Sequence, residues 1–131
     1  MLIDRIRLTA AARNQLISLK RKTNIEHYNA LCRHAFCLSI ANPSIPPFED
    51  FSFNGGIDID WRVFTGGNDS LYLNVLLLRM HQDGIVANET SVRQVLALHL
   101  HRGLSYMSSR KEDDLLVALS TELRDRSPLS S

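Results

Sequence analysis

The sequence predicts a mainly α-helical fold: a short amino-terminal strand, about five helices and a possible β-hairpin between the second and third. Three observations carry this. Residues 2–9 alternate apolar and polar; five later stretches repeat apolar side chains at helical spacing; residues 51–64 alternate again around a glycine turn. A chain of 131 residues, 44% hydrophobic and 22% charged, can bury a core without a disulfide or metal staple. The expected organisation is one domain over 1–131, with a basic, ribbon-helix-helix-like segment at 1–41, a loop or hairpin at 42–68 and a helical part at 69–126.

In Leu2–Thr9, Ile6 and Leu8 face one way and Arg5, Arg7 and Thr9 the other. A lone strand needs a partner, because an unpaired edge exposes backbone donors and acceptors. Thr9 can cap a helix over Ala10–Lys22, in which Ala12, Leu16 and Leu19 share a face. Lys20, Arg21 and Lys22 fall in its last turn, where cations suit the negative end of the helix dipole. Asn24 can adopt the left-handed conformation that ends it. A second helix is expected over about Glu26–Ile40, with Tyr28, Leu31, Cys32, Ala35 and Leu38 as its apolar stripe. Pro43, Pro46 and Pro47 stop it.

Asn54-Gly55-Gly56 marks a turn, and Ile57, Ile59 and Trp61 alternate with Asp58, Asp60 and Arg62, so Phe51–Phe64 reads as strand or hairpin. Asp69 or Ser70 can cap a helix through Asp83, with Gly84 as its stop; Thr90 or Ser91 can cap another through about Met107. Gly103 lies inside that pattern at a cost in helix propensity. A last helix is expected over Glu112–Arg124, with Ser127–Ser131 frayed.

Charge is unevenly placed. Residues 1–37 carry seven basic side chains against two acidic ones, a net of +5; residues 38–131 carry eight against twelve, a net of −4. The seven are Arg5, Arg7, Arg13, Lys20, Arg21, Lys22 and Arg33, and they are the candidate phosphate contacts. Arg33 is the weakest of them, since Glu26 or Asp4 could hold it in an ion pair. Strand, helix, tight turn and helix follow in the order of a ribbon-helix-helix unit, in which two chains pair their strands and present polar side chains to a major groove. The alternative is that Leu2–Thr9 pairs within its own chain.

Other chemistry finds less support. Cys32 and Cys37 are five residues apart, so on a helix they diverge by about 140° and do not readily share an ion with His34 or His27. His99 and His101 sit on different helix faces. Asp58 and Asp60 could hold a divalent ion for nicking DNA, but read more plainly as a solvated strand face. No phosphate-loop motif is present. Apolar runs such as Val75–Leu78 are far shorter than the roughly 20 residues that span a bilayer. The opening residues lack a secretory pattern, and reduced thiols in a cytoplasmic protein are expected.

Particular residues carry a resemblance. Arg5-Ile6-Arg7-Leu8-Thr9, Leu19-Lys20, Lys22-Thr23, Asn29-Ala30-Leu31-Cys32-Arg33 and Ala35-Phe36-Cys37-Leu38-Ser39-Ile40 resemble the DndE family of DNA sulfur modification proteins. Thr65-Gly66-Gly67-Asn68-Asp69 and His99-Leu100-His101-Arg102-Gly103 are similar to later family segments, with His101 where Asn is usual. Asn24 stands where the family has Gly, which keeps the turn but makes close backbone approach to DNA less certain. The resemblance implies a non-enzymatic, cofactor-free DNA-binding subunit of the machinery that replaces a non-bridging phosphate oxygen with sulfur. It further implies a tetramer, a preference for nicked duplex, and partners comprising a cysteine desulfurase, an iron–sulfur ATP-dependent enzyme and an SMC-like ATPase. A ribbon-helix-helix regulator or antitoxin, reading bases with Arg5 and Arg7, is the second hypothesis; a subunit whose basic segment contacts an acidic protein is the third.

Overall fold

The computed structural model describes residues 2–109; the expectations for 112–124 and 127–131 lie outside the described residues. The chain runs β1 (Arg5–Leu8), α1 (Ala10–Thr23), α2 (Tyr28–Ala41), β2 (Ile57–Asp60), α3 (Trp61–Thr65), α4 (Asp69–Gln82) and α5 (Glu89–Ser109). It is mainly helical, with one two-stranded antiparallel sheet. The long helix α5 is central: α2, α1, β1 and α4 all pack against it.

Local chemistry sets the ends of α1. The Thr9 hydroxyl accepts the Ala12 N–H at 3.1 Å, satisfying a first-turn donor that the helix cannot bond internally. Asn24 turns left-handed at φ 56° and returns its N–H to the Lys20 carbonyl, the geometry in which asparagine can replace glycine. Ala12, Leu16 and Leu19 are buried, as their spacing predicts.

The amino-terminal strand finds its partner in its own chain, so the intermolecular ribbon is not needed to pair it. β1 lies antiparallel to β2, with Arg5 opposite Asp60 and Arg7 opposite Asp58. The stretch expected as strand or hairpin supplies one strand only. A turn closed by Gly56 N–H to Phe53 O at 3.1 Å precedes β2, and β2 then pairs with residues fifty positions earlier. Trp61, expected to continue the alternation, instead begins α3 and donates its N–H to Asp4 O at 3.0 Å. That bond fixes the phase of the ladder. Asp4, Ile6 and Leu8 direct their backbone groups at β2, and Arg5 and Arg7 direct theirs to the opposite edge. Ile6 and Leu8 side chains point into the core and are 1% and 0% exposed.

The core continues through Leu16, Leu31, Phe36, Phe64, Leu76, Met80, Leu100 and Leu104. A close backbone approach within it lies between α2 and α5. A Cβ placed on Gly103 would lie 1.8 Å from the Ala35 carbonyl oxygen, so only glycine lets the two backbones approach this closely. The propensity cost of a mid-helix glycine is thereby explained. On an exposed helix, glycine to alanine would stabilise by about 1 kcal/mol. Here Gly103→Ala is expected to destabilise by about 3 kcal/mol, because the helices must part. Urea unfolding of the two proteins checks this, and a more stable variant would refute the close packing.

Candidate nucleic-acid interface

The seven basic residues do not form one cluster. Arg5 and Arg7 stand side by side on the outward face of β1, with side chains about half exposed. Asp58 lies between them, 3.5 Å from Arg5 Nη1 and 3.3 Å from Arg7 Nε. The ladder phase explains the second contact: Arg7 and Asp58 form a non-hydrogen-bonded pair, in which facing side chains are closest. Arg7 also lies over the Phe53 ring, 4.9 Å from its centroid.

Arg13, Lys20 and Arg21 are exposed and Lys22 is half-buried. At 100° per residue, Arg13, Ile17, Lys20 and Arg21 fall within about 100° of one another, so they share the solvent face of α1. Lys20 lies roughly 16 Å along the axis from Thr9, which separates the basic end of α1 from the arginines of β1. Lys20 Nζ rests over the Tyr28 ring at 5.5 Å.

Arg33 is placed differently. Its Nη1 donates to the Phe64 carbonyl at 2.9 Å, one helical turn from Asn29, whose Nδ2 donates to the Val63 carbonyl at 3.1 Å. The two side chains of α2 thus donate to carbonyls at the end of α3, adding to the turn bonds that Gly66, Gly67 and Asn68 N–H make there. Neither Glu26 nor Asp4 plays the part considered for it.

Two further arginines do comparable work at the end of α2, and charge counting by segment passed over both. Arg79 is 5% exposed and donates to the carbonyls of Ile40, Asn42 and Ser44 at 2.7–2.8 Å. Its Nε pairs with Asp83 at 2.9 Å. Arg102 donates to the Ser39 carbonyl at 2.7 Å, to Ser39 Oγ at 2.8 Å and to the Ser44 carbonyl at 2.9 Å. Cations at a helix carboxyl end meet both its free carbonyls and its dipole. The signal for Arg79 was its place in an apolar stripe beside Leu76 and Met80.

The histidines are structural partners. His99 is fully buried, with Nδ1 2.7 Å from Ser39 Oγ. Burial, then the charges of Arg79 and Arg102, lower its pKa to about 4. His101 Nδ1 must donate to the Ala97 carbonyl, 2.7 Å away, leaving Nε2 to accept the Thr9 N–H at 3.2 Å. Its ring stacks on Phe51 at 4.1 Å. Burial lowers its pKa too. Cys32 lies in the core with its thiol pushed up to about 12 by burial, a poor nucleophile or metal ligand. Among the described residues no group of three or more His, Cys, Asp or Glu could hold a metal ion, and no helix is long and apolar enough to cross a membrane.

A cavity of about 430 Å³ runs beside β1, lined by residues 4–7, by 48–51 and Phe53, and by the first half of α5. The second, about 330 Å³, lies where the amino end of α1 meets residues 46–52 and His101.

The fold and these surfaces define a small, mainly helical protein with a two-stranded sheet and a basic helix end. The family model described as DNA sulphur modification protein DndE matches residues 5–114, and the chain belongs to that family. Among solved structures it is similar to one titled as the crystal structure of DndE from Escherichia coli B7A involved in DNA phosphorothioation modification. The identity is 23% over 80% of this chain and 98% of that one, with a TM-score of 0.67. No curated protein sequence matches the chain.

The histidines generate a pH dependence. Both have folded pKa values below 6.5, so the unfolded chain takes up protons first as pH falls. Their contribution is fully present above pH 6.5 and is lost as pH falls through the folded values. For His99, the interval from 6.5 to about 4 corresponds to roughly 3 kcal/mol. Urea midpoints between pH 7 and 4.5 should therefore decline steeply, and His99→Gln should flatten the decline. An equal slope in the variant would show that other groups cause it.

Proposed function

We propose that this chain binds duplex DNA, with nicked duplex favoured, as a tetrameric scaffold subunit of the DNA phosphorothioation machinery. The observation that carries the reading is the basic solvent face of α1, found on a chain of the DndE family. Arg13, Lys20, Arg21 and Lys22 supply the main phosphate contacts, and Arg5 and Arg7 flank them from the sheet. Arg33, held on Phe64 O, contributes through the fold. Lysine and arginine suit the task because each neutralised phosphate releases condensed cations. No catalytic group is assigned to the chain. The sulfur chemistry belongs to the cysteine desulfurase, the iron–sulfur ATP-dependent enzyme and the SMC-like ATPase expected beside it in the cytoplasm. The description as one domain accords with a core shared by every element. Self-association draws support from α4, where Leu71 and Leu78 are each 59% exposed. Each lies about one turn from half-buried Val75, an apolar stripe with room for another subunit.

Gel shifts on intact, nicked and unrelated duplexes across a salt series test the proposal. Log K is expected to fall linearly with log salt by about 0.9 per phosphate contact. Lys20→Ala/Arg21→Ala/Lys22→Ala should weaken every duplex alike and flatten the slope by about one unit per lost contact. Stability should change by only about 0.5 kcal/mol, since the sites are largely exposed. Arg110→Ala/Lys111→Ala, which removes two charges from the other end of the chain, is the control. If the control loses as much binding as the triple variant, α1 is not the DNA face.

A further inference from the structure

We infer that the cavity beside β1 is a binding site for a nucleobase, held by its flat face and its polar edge rather than by net charge. The inference goes beyond phosphate contact on α1 and does not depend on it. A free nucleoside and an unpaired base of a strand offer the same chemistry.

The strap between α2 and β2 builds one wall of the cavity. Pro46 and Pro47 restrict its backbone. Arg79 and Arg102 hold its Ser44 carbonyl, and further along Phe51 stacks on His101 at 4.1 Å. Three phenylalanines of the strap line the cavity. Phe51 gives one face to His101, and Phe53 lies beneath Arg7 at 4.9 Å. Phe48 meets no other ring or cation among the described residues and is 69% exposed. An aromatic ring left in water at a cavity rim offers a stacking face. Because the strap is held on both sides of that ring, little freedom is lost when a ligand takes it. Buried Ile6, Leu96 and Leu100 supply an apolar floor. The volume of about 430 Å³ falls within the roughly 300–1,000 Å³ usual for small-molecule sites.

The rim decides the class of ligand. It carries Arg5, Arg7 and Arg93 against Asp4, Glu49 and Asp50. The arginines also have carboxylates of their own: Asp58 serves Arg5 and Arg7, and Glu89 lies 2.9 Å from Arg93. Neither a phosphate nor an ammonium ion would therefore meet charge of one sign. Such a rim offers fixed donors and fixed acceptors together above an apolar floor. A nucleobase uses all of these features. Guanidinium groups bond its carbonyls and ring nitrogens, carboxylates bond its exocyclic amines, and its face stacks on an aromatic ring.

The test uses the full chain, labelled with nitrogen-15 and titrated with adenosine, guanosine, cytidine and uridine. The nucleosides are expected to shift the amides of residues 48–53 and of Gln94–Ala97, leaving Lys20–Lys22 unmoved. Phe48→Ala should weaken all four about tenfold, and Phe48→Trp should bind like the parent chain. The position is exposed, so the fold should survive both changes. Glu49→Ala/Asp50→Ala should weaken adenosine, guanosine and cytidine about tenfold, and uridine, which has no exocyclic amine, less. Absence of shifts at those amides overturns the proposal. So does indole binding as tightly as the nucleosides, or inorganic phosphate or spermidine moving the same amides more strongly. Gel shifts then separate the two sources. If the base belongs to a strand, Phe48→Ala weakens binding of a nicked duplex with an unpaired base more than that of intact duplex. If it belongs to a free nucleoside, both duplexes bind the variant as they bind the parent. Nucleoside binding without any duplex binding sinks the DNA reading and leaves this one standing; duplex binding without nucleoside shifts does the reverse.

Discussion

The close approach of α2 to α5, permitted by the missing side chain at Gly103, is the constraint on which the rest of the molecule depends. With the Ala35 carbonyl seated on that glycine, Ser39 lies within reach of both His99 and Arg102. The end of α2 then falls where Arg79 and Arg102 can hold its carbonyls and that of Ser44. The loop leaving α2 is fixed by the same bonds. Residues 46–53 therefore pass over α5, where Phe51 stacks on His101, and that passage forms one wall of the cavity beside β1. A parting of the two helices would loosen every one of these contacts.

The residues on which the family resemblance rests serve largely as internal fastenings. Asn29 and Arg33 close the end of α3. Ser39, His99, Arg102 and Gly103 join α2 to α5. Asn29, Arg33 and Arg102 donate to helix-terminal or loop carbonyls, groups that left buried and unpaired would cost about 1–3 kcal/mol each, while Ser39 and His99 bond each other through their side chains. Motif matches in such a chain report a shared way of packing first. The basic face of α1, made from residues that bond little within the fold, is the surface with charge to offer outward.

The sheet shows how one small element serves two ends. Ile6 and Leu8 anchor it in the core, and Arg5 and Arg7 stand outward on Asp58. A surface ion pair of this kind contributes little stability, about 1 kcal/mol or less. Its effect is on orientation, since the shared carboxylate keeps both guanidinium groups on one side of the strand while the backbone edge stays open.

Much of the architecture was legible from local signals. Helix spans came from 3.6-residue periodicity, the start of α1 from Thr9, its end from Asn24 and the outward arginines from strand alternation; all of these depend on neighbours in sequence. The fate of single polar residues was not legible. Arg33, a candidate phosphate contact by charge, has its Nη1 held on the Phe64 carbonyl from 31 positions away. Arg79, which charge counting by segment does not single out, is a buried clamp. Phe51–Phe64 showed strand alternation, but whether its strand would pair within a hairpin, across chains or with β1 depended on register, which alternation alone leaves open. The sequence by itself determined the four long helices of the described residues, roughly where they begin and end and which faces are apolar, while α3 read as strand. Only the tertiary structure decided which polar groups are used up in satisfying the backbone and which stay free to bind, because those partners are distant in the chain and meet only when the helices pack.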